Sequence, residues 1–219
     1  MPSGVRRLIL VLVCCTACGP KPDADGQTKP PEAAARDPLA IYEALEAKIA
    51  EGKDTEQDRS DALAEASSIA DDQSAAYAFV RAALAGRVAE NRGAKAGKLV
   101  TDSEGWALKS IARDPEFRDR AATQLLGSLY VMAPGRLVEH GDSEKGLEML
   151  EKLVESKPDE PRYRLRLAQA YVHLGDDEPA HPHACASLAG RDELRGDEQK
   201  LLDALVAELG GAEALGCGG

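Results

Sequence analysis

His181, Pro182 and His183 stand beside Cys185, and their side chains are of the kinds that ligate metals. On a helix His181 and Cys185, four residues apart, share a face, whereas His183 points elsewhere. Zinc needs three or four convergent ligands, so the cluster reads as a solvent-facing helix start with Pro182 in its early turn, and no metal is expected. Asp71-Asp72 and Asp176-Asp177 place carboxylates side by side, but in turn-rich contexts they read as loop and cap residues, not as an acid and its base. No phosphate loop, dinucleotide glycine motif, nucleophile elbow or HExxH is present. The expectation is a chain without catalytic residues or cofactor, not an enzyme. Arg162, Arg164 and Arg166 make a basic spot or pair with carboxylates such as Glu155 and Glu160. Trp106 either stacks on a ligand or fills a core between helices.

The N-terminus carries the chemistry of an address. Arg6 and Arg7 precede the apolar run Leu8 to Val13, and small residues follow, in the layout of a secretory signal. The run is too short to span a bilayer, which takes about 20 apolar residues. Cys15-Thr16-Ala17-Cys18 resembles the bacterial lipobox, with Cys15 where that pattern usually has Leu. The resemblance implies cleavage before Cys18, which becomes the diacylated new N-terminus, and attachment to a membrane through that lipid. Gly19 follows, not the Asp of inner-membrane retention, so the expected address is the cell envelope, at the periplasmic face of the outer membrane. Ordinary cleavage without lipid remains the alternative. Of the five cysteines, Cys14 and Cys15 leave with the signal, and Cys185 and Cys217 remain as either a disulfide or two free thiols.

The net charge is −11. Losing Arg6 and Arg7 with the signal makes the rest more acidic still. Such a surface repels phosphate backbones, so nucleic acid is excluded as a partner.

Three segments follow: 1–17 as signal peptide, 18–37 as lipidated cysteine and tether, and 38–219 as a helical domain. Pro20, Pro22, Pro30 and Pro31, set among polar residues, make the tether. Beyond it, Ala and Leu dominate, β-branched residues are sparse, and no period-two alternation persists. Helices are predicted over 38–51, 55–69, 73–91, 94–113, 117–132, 143–156, 160–174, 178–189 and 197–209, punctuated by Gly and Pro. Leu201, Leu202, Leu205, Val206 and Leu209 form one apolar stripe able to cover the end of a helical stack.

The spacing also repeats. Gly146 to Ala180 and Leu150 to Ala184 are each 34 residues, the tetratricopeptide period. Small residues at Gly127, Ala168, Gly146 and Ala180 let helices approach, and Tyr130 and Tyr171 fill the space between hairpins. The fold class expected is all-α: stacked antiparallel helical hairpins, a tetratricopeptide-like solenoid, with a C-terminal capping helix. Gly127 to Ala168 and Tyr130 to Tyr171 are each 41 residues, however, which puts seven extra residues in the turn APGRLVEHG at 133–141. Pro134 and Gly135 set a turn there. Arg136, Leu137 and Val138 follow, and two of these are apolar where a solvated loop does not favour apolar residues. Either Leu137 and Val138 tuck onto adjacent helices and the loop merely connects, or Pro134–Val138 meets a partner.

SIARDPEF (110–117), LGSLYVMAPG (126–135), GDSEKGLEMLEKLVESKPDEP (141–161) and LAQAYVHLGD (167–176) resemble the lipoprotein T-component of TRAP transporters. YAFV (77–80) is similar to that family's earlier hairpin. The resemblance implies a non-catalytic helical-repeat lipoprotein that associates with the periplasmic solute-binding subunit of such a transporter. A homo-oligomer, a general envelope-assembly scaffold and a small-molecule or metal-binding module stay open beside it.

Overall fold

Asp37 starts the first helix. Its carboxylate accepts the Leu39 backbone N–H at 2.9 Å, and Pro38, which has no N–H to satisfy, takes the first helical position. The computed structural model describes residues 37–217. The signal peptide, Cys18 and the Pro-rich tether lie outside the described residues, apart from Asp37 at the tether's end. Ten α-helices follow: α1 (Pro38–Glu51), α2 (Glu56–Ser68), α3 (Ala75–Glu90), α4 (Gly97–Arg113), α5 (Phe117–Met132), α6 (Ser143–Ser156), α7 (Pro161–Leu174), α8 (Asp177–Ala189), α9 (Gly196–Glu208) and α10 (Ala212–Leu215). There is no strand among the described residues, so the chain is all-α.

Local chemistry sets the boundaries. Thr55 and Asp58 cap α2 reciprocally, each side chain accepting the other's backbone N–H. Ser74 and Asp142 cap α3 and α6 through the N–H groups of Tyr77 and Lys145. Gly175 ends α7 at φ 83°, a left-handed conformation that side-chain-bearing residues avoid. Two starts differ from expectation. Residues 93–96 form a 3-10 turn, so α4 begins only at Gly97. Within α5, Arg118, Asp119 and Arg120 have φ values of 47°, 55° and 59°, so the right-handed helix runs from Ala121. Left-handed residues cost about 1–2 kcal/mol each. The Tyr163 hydroxyl donates to the Asp119 carbonyl, Lys157 pairs with the Asp119 carboxylate, and Phe117 packs on Phe79. Pro182 lies inside α8 and not in its first turn.

Each odd-numbered helix packs on the next odd-numbered one, and each even-numbered helix from α2 to α8 packs on the odd ones before and after it. The series then closes, because α9 also packs on α1. Small residues permit the close contacts. A Cβ on Gly146 would lie 2.7 Å from the Gly127 carbonyl oxygen and 2.8 Å from Tyr130 Cβ. Leu150, Leu153 and Leu167 are buried beside that contact, each removal from water contributing about 2 kcal/mol. Ala168, Ala180 and Ala184 pack with Leu202, Leu205 and Leu209. The α9 stripe therefore covers α7 and α8 while the start of the same helix reaches α1.

That second contact is ionic. Glu46 of α1 receives Arg87 of α3 in a fork, at 2.8 Å on each oxygen, and also Arg195, just ahead of α9. Arg195 pairs with Asp197 at 2.9 Å as well. Burial alone pushes the Glu46 carboxyl up, but Arg87 and then Arg195 outweigh it and hold the group below the usual carboxylate range. Arg166 of α7 joins the same cluster with Glu198 at 3.6 Å, and desolvation pulls its guanidinium down.

Candidate interaction surface

Among residues 133–141 the apolar pair divides from the rest. Val138 is buried against Val100, Leu126 and Tyr130, and Leu137 is half-buried in the same cluster. The connector reading thus describes the loop's base. Pro134, Gly135 and Arg136 are exposed, as is Met132 at the end of α5. The loop is a short 3-10 turn at Gly135–Leu137 that presents its tip to solvent from an apolar root.

The root is fixed from below by Glu104 of α4, only 1% exposed. One carboxylate oxygen accepts the Glu139 N–H at 2.9 Å and the other the His140 N–H at 2.7 Å. Burial pushes the Glu104 carboxyl up, yet these two backbone donors outweigh it and the pKa lies below the ordinary value. The Tyr130 hydroxyl is buried beside the same carboxylate, too loosely placed for a well-formed hydrogen bond; burial, then the Glu104 charge, push its pKa up. Gly141 lies against the Tyr130 ring so closely that a Cβ would collide with it. Thr101 adds a hydrogen bond to the Leu137 carbonyl at 3.3 Å. A loop pinned at two amides, one carbonyl and two apolar side chains holds its tip in a defined place.

At the end of α5 opens a groove of about 340 Å³. Met132 forms one edge, Val172 and His173 of α7 another, and Leu201, Ala204 and Glu208 of α9 the far side. Gln169, His173 and Glu208 give the groove a mainly polar lining, with Val172 and Leu201 between them; such a mixed surface suits a peptide segment, and the arrangement holds no nucleophile–base pair.

The other residues of interest fall elsewhere. Cys185 and Cys217 are disulfide-bonded with Cα atoms 5.1 Å apart, which ties the end of α10 to α8. His183 accepts from the Arg164 guanidinium through Nδ1 at 2.9 Å and stacks on Tyr171; burial first, then the Arg164 charge, lower its pKa. Among the described residues no group of three His, Cys, Asp or Glu side chains converges as metal ligands. Asp71 receives Arg113 in a fork, and Asp72 accepts the Ser74 N–H. The three arginines of α7 diverge: Arg162 to Glu160, Arg164 to His183 and the Pro158 carbonyl, Arg166 to Gln169 and Glu198. Trp106 is half-buried against Tyr77, 5.6 Å between ring centroids, with Arg81 and Lys109 over its ring.

No described helix is long and apolar enough to cross a membrane. No protein-family model matches the sequence, and no curated protein matches it significantly.

Proposed function

We propose that the chain is a non-catalytic interaction module of the cell envelope, anchored through Cys18, built as tetratricopeptide-like hairpins with α9 as the capping helix. Its partner on this reading is the periplasmic solute-binding subunit of a TRAP-type transporter. The 34-residue spacing, the lipobox-like start and the alternating contacts of successive helices support it. The observation that carries the interaction role is the loop. Its base is anchored by buried Glu104, while Pro134, Gly135 and Arg136 are exposed and are not part of the core. A tight turn suffices for a helical hairpin, so a pre-positioned exposed tip is what packing does not require.

Replacing Pro134-Gly135-Arg136 by Gly-Ser-Gly leaves Leu137, Val138 and the Glu104 bonds in place. Co-purification with a TRAP-type solute-binding subunit from the same cell is expected to fall at least tenfold while the melting temperature holds. Undiminished capture by the altered tip removes the loop from the interface.

A further inference from the structure

The chain has a second groove, between α2 and α4 and floored by α3, of about 340 Å³. Leu63 of α2, Val88 of α3 and Leu99 of α4 line it, and Arg92 and Lys95 stand at its end. The same helix faces continue past it. Leu99, Trp106 and Lys109 follow one another along α4 at helical spacing, and Arg81 and Val88 along α3, where Arg81 meets the Trp106 ring at 4.8 Å. From Leu99 to Lys109 the line extends about 15 Å, at roughly 1.5 Å per residue.

The charges along this line are unusual for so acidic a chain. Lys48, Arg59, Arg87, Lys98, Arg113 and Arg118 are all paired with carboxylates. Arg81, Arg92, Lys95 and Lys109 are in no ion pair among the described residues. Arg81 donates to the Tyr77 hydroxyl at 2.9 Å and leaves Nε, buried, without an acceptor. Arg92 reaches only the Ser60 hydroxyl, at 3.3 Å. Lys109 rests 3.9 Å from the centre of the Trp106 ring. Asp71 lies within electrostatic reach of Lys109, and Asp102 on the same face of α4 is held by Lys98. Four cations outside any ion pair beside an apolar trough, on a chain of net charge −11, still leave an excess of positive charge complementary to carboxylates.

We propose that this groove seats an acidic amphipathic segment of a partner protein. Its apolar side chains lie over Leu63, Val88 and Leu99, and its carboxylates meet Arg92 and Lys95 at one end and Arg81 and Lys109 at the other. A protein segment fits better than a lipid surface, because the apolar residues sit in a trough between helices, where a flat bilayer does not reach. The site is separate from the Pro134 loop and stands or falls independently of it.

The full chain is titrated into a labelled synthetic amphipathic helix of Glu and Leu, and into its counterpart with each Glu replaced by Lys. The anisotropy of the Glu peptide is expected to report binding at least tenfold tighter than that of the Lys peptide, weakening as salt rises. Trp106, the chain's single tryptophan, shifts its emission on binding. The double variant Lys95→Glu/Lys109→Glu changes exposed side chains only, so it should melt like the parent while losing at least tenfold in affinity. Leu99→Ser weakens binding without changing charge, and the lysine variant decides the matter should the serine variant not fold. Equal binding of the two peptides, or unchanged affinity of the lysine variant, overturns the proposal. So does a dimer of this chain dispersed by the lysine variant, which makes the occupant a second copy. So too does an emission shift with vesicles of anionic phosphatidylglycerol but none with the Glu peptide, which makes it a membrane.

Discussion

Replacing Glu104 by alanine should loosen the α5–α6 loop and cost about 3 kcal/mol. The carboxylate accepts two backbone N–H groups, at 2.9 and 2.7 Å, and hydrogen bonds to charged groups contribute roughly 1.5–3 kcal/mol each. The lower figure applies to each, because Glu139 and His140 are exposed and water can reach their amides once the carboxylate is gone. At roughly 2–4 °C per kcal/mol for a domain of this size, the melting temperature should drop by about 6–12 °C. Glu104→Gln keeps one acceptor oxygen and should lose about half as much. The pH dependence follows from the lowered pKa. A group depressed in the folded state contributes stability above its unfolded value, about 4.3 for glutamate, and loses it as pH falls through the folded value. The parent should therefore shed this contribution in acid below that value, and Glu104→Gln should not show that part of the decline. Circular-dichroism melts at neutral and acid pH, with hydrogen exchange at the Glu139 and His140 amides, measure both effects. An alanine variant melting within 2 °C of the parent, roughly the effect of 1 kcal/mol or less, with those amides still protected, refutes the claim that Glu104 holds the loop.

Glu46→Ala removes the forked partner of Arg87 but leaves Arg87 with Glu90 and Asp197 and Arg195 with Asp197, so it should cost about 2–3 kcal/mol, whereas replacing Glu46 and Arg87 together by Leu and Met should cost less. Denaturant melts of the single and double variants decide this, and equal losses contradict it. Gly146→Ala gains about 1 kcal/mol of helix propensity but drives a Cβ into the Gly127 carbonyl and Tyr130; a net loss of about 1–2 kcal/mol is expected from overpacking, and a variant as stable as the parent shows that the helices can part there without penalty. Opening the Cys185–Cys217 bond should cost about 3–4 kcal/mol for a loop of this size. Peptide mapping of unreduced protein should recover the linked pair, and two free thiols in protein from an oxidising compartment would remove that contribution.

Much of the fold was legible because Gly and Pro punctuate long Ala- and Leu-rich runs, and α1 to α9 fall on the predicted spans to within a few residues. α10 left no trace, since four residues between glycines are too few to show a period. The closure of α9 onto α1 was invisible for another reason. Glu46 and Arg195 are 149 residues apart, and a single ion pair has no periodicity to read. The left-handed turn at Arg118–Arg120 gives no sequence cue because it contains no glycine. Glu104 did leave a signal: it is the one charged side chain on a buried face shared with Val100, Ser103, Ala107 and Ser110. A charge at a core position implies a partner that desolvation demands, and the nearby loop amides are that partner. In the loop itself the apolar character of Leu137 and Val138 fitted both a core position and an interface. Packing places Val138 in the core, leaving Pro134, Gly135 and Arg136 as the candidates for contact.

On the proposed function, this loop tip meets a protein partner in the envelope. A photo-crosslinking residue at Arg136, installed in the cell that makes the protein, tests it most directly. Glu155, also exposed but near the far end of α6, serves as the control position. One dominant adduct is expected from position 136, identified by mass spectrometry as a solute-binding subunit and absent from position 155. No adduct at 136, or the same set of adducts from both positions, contradicts it.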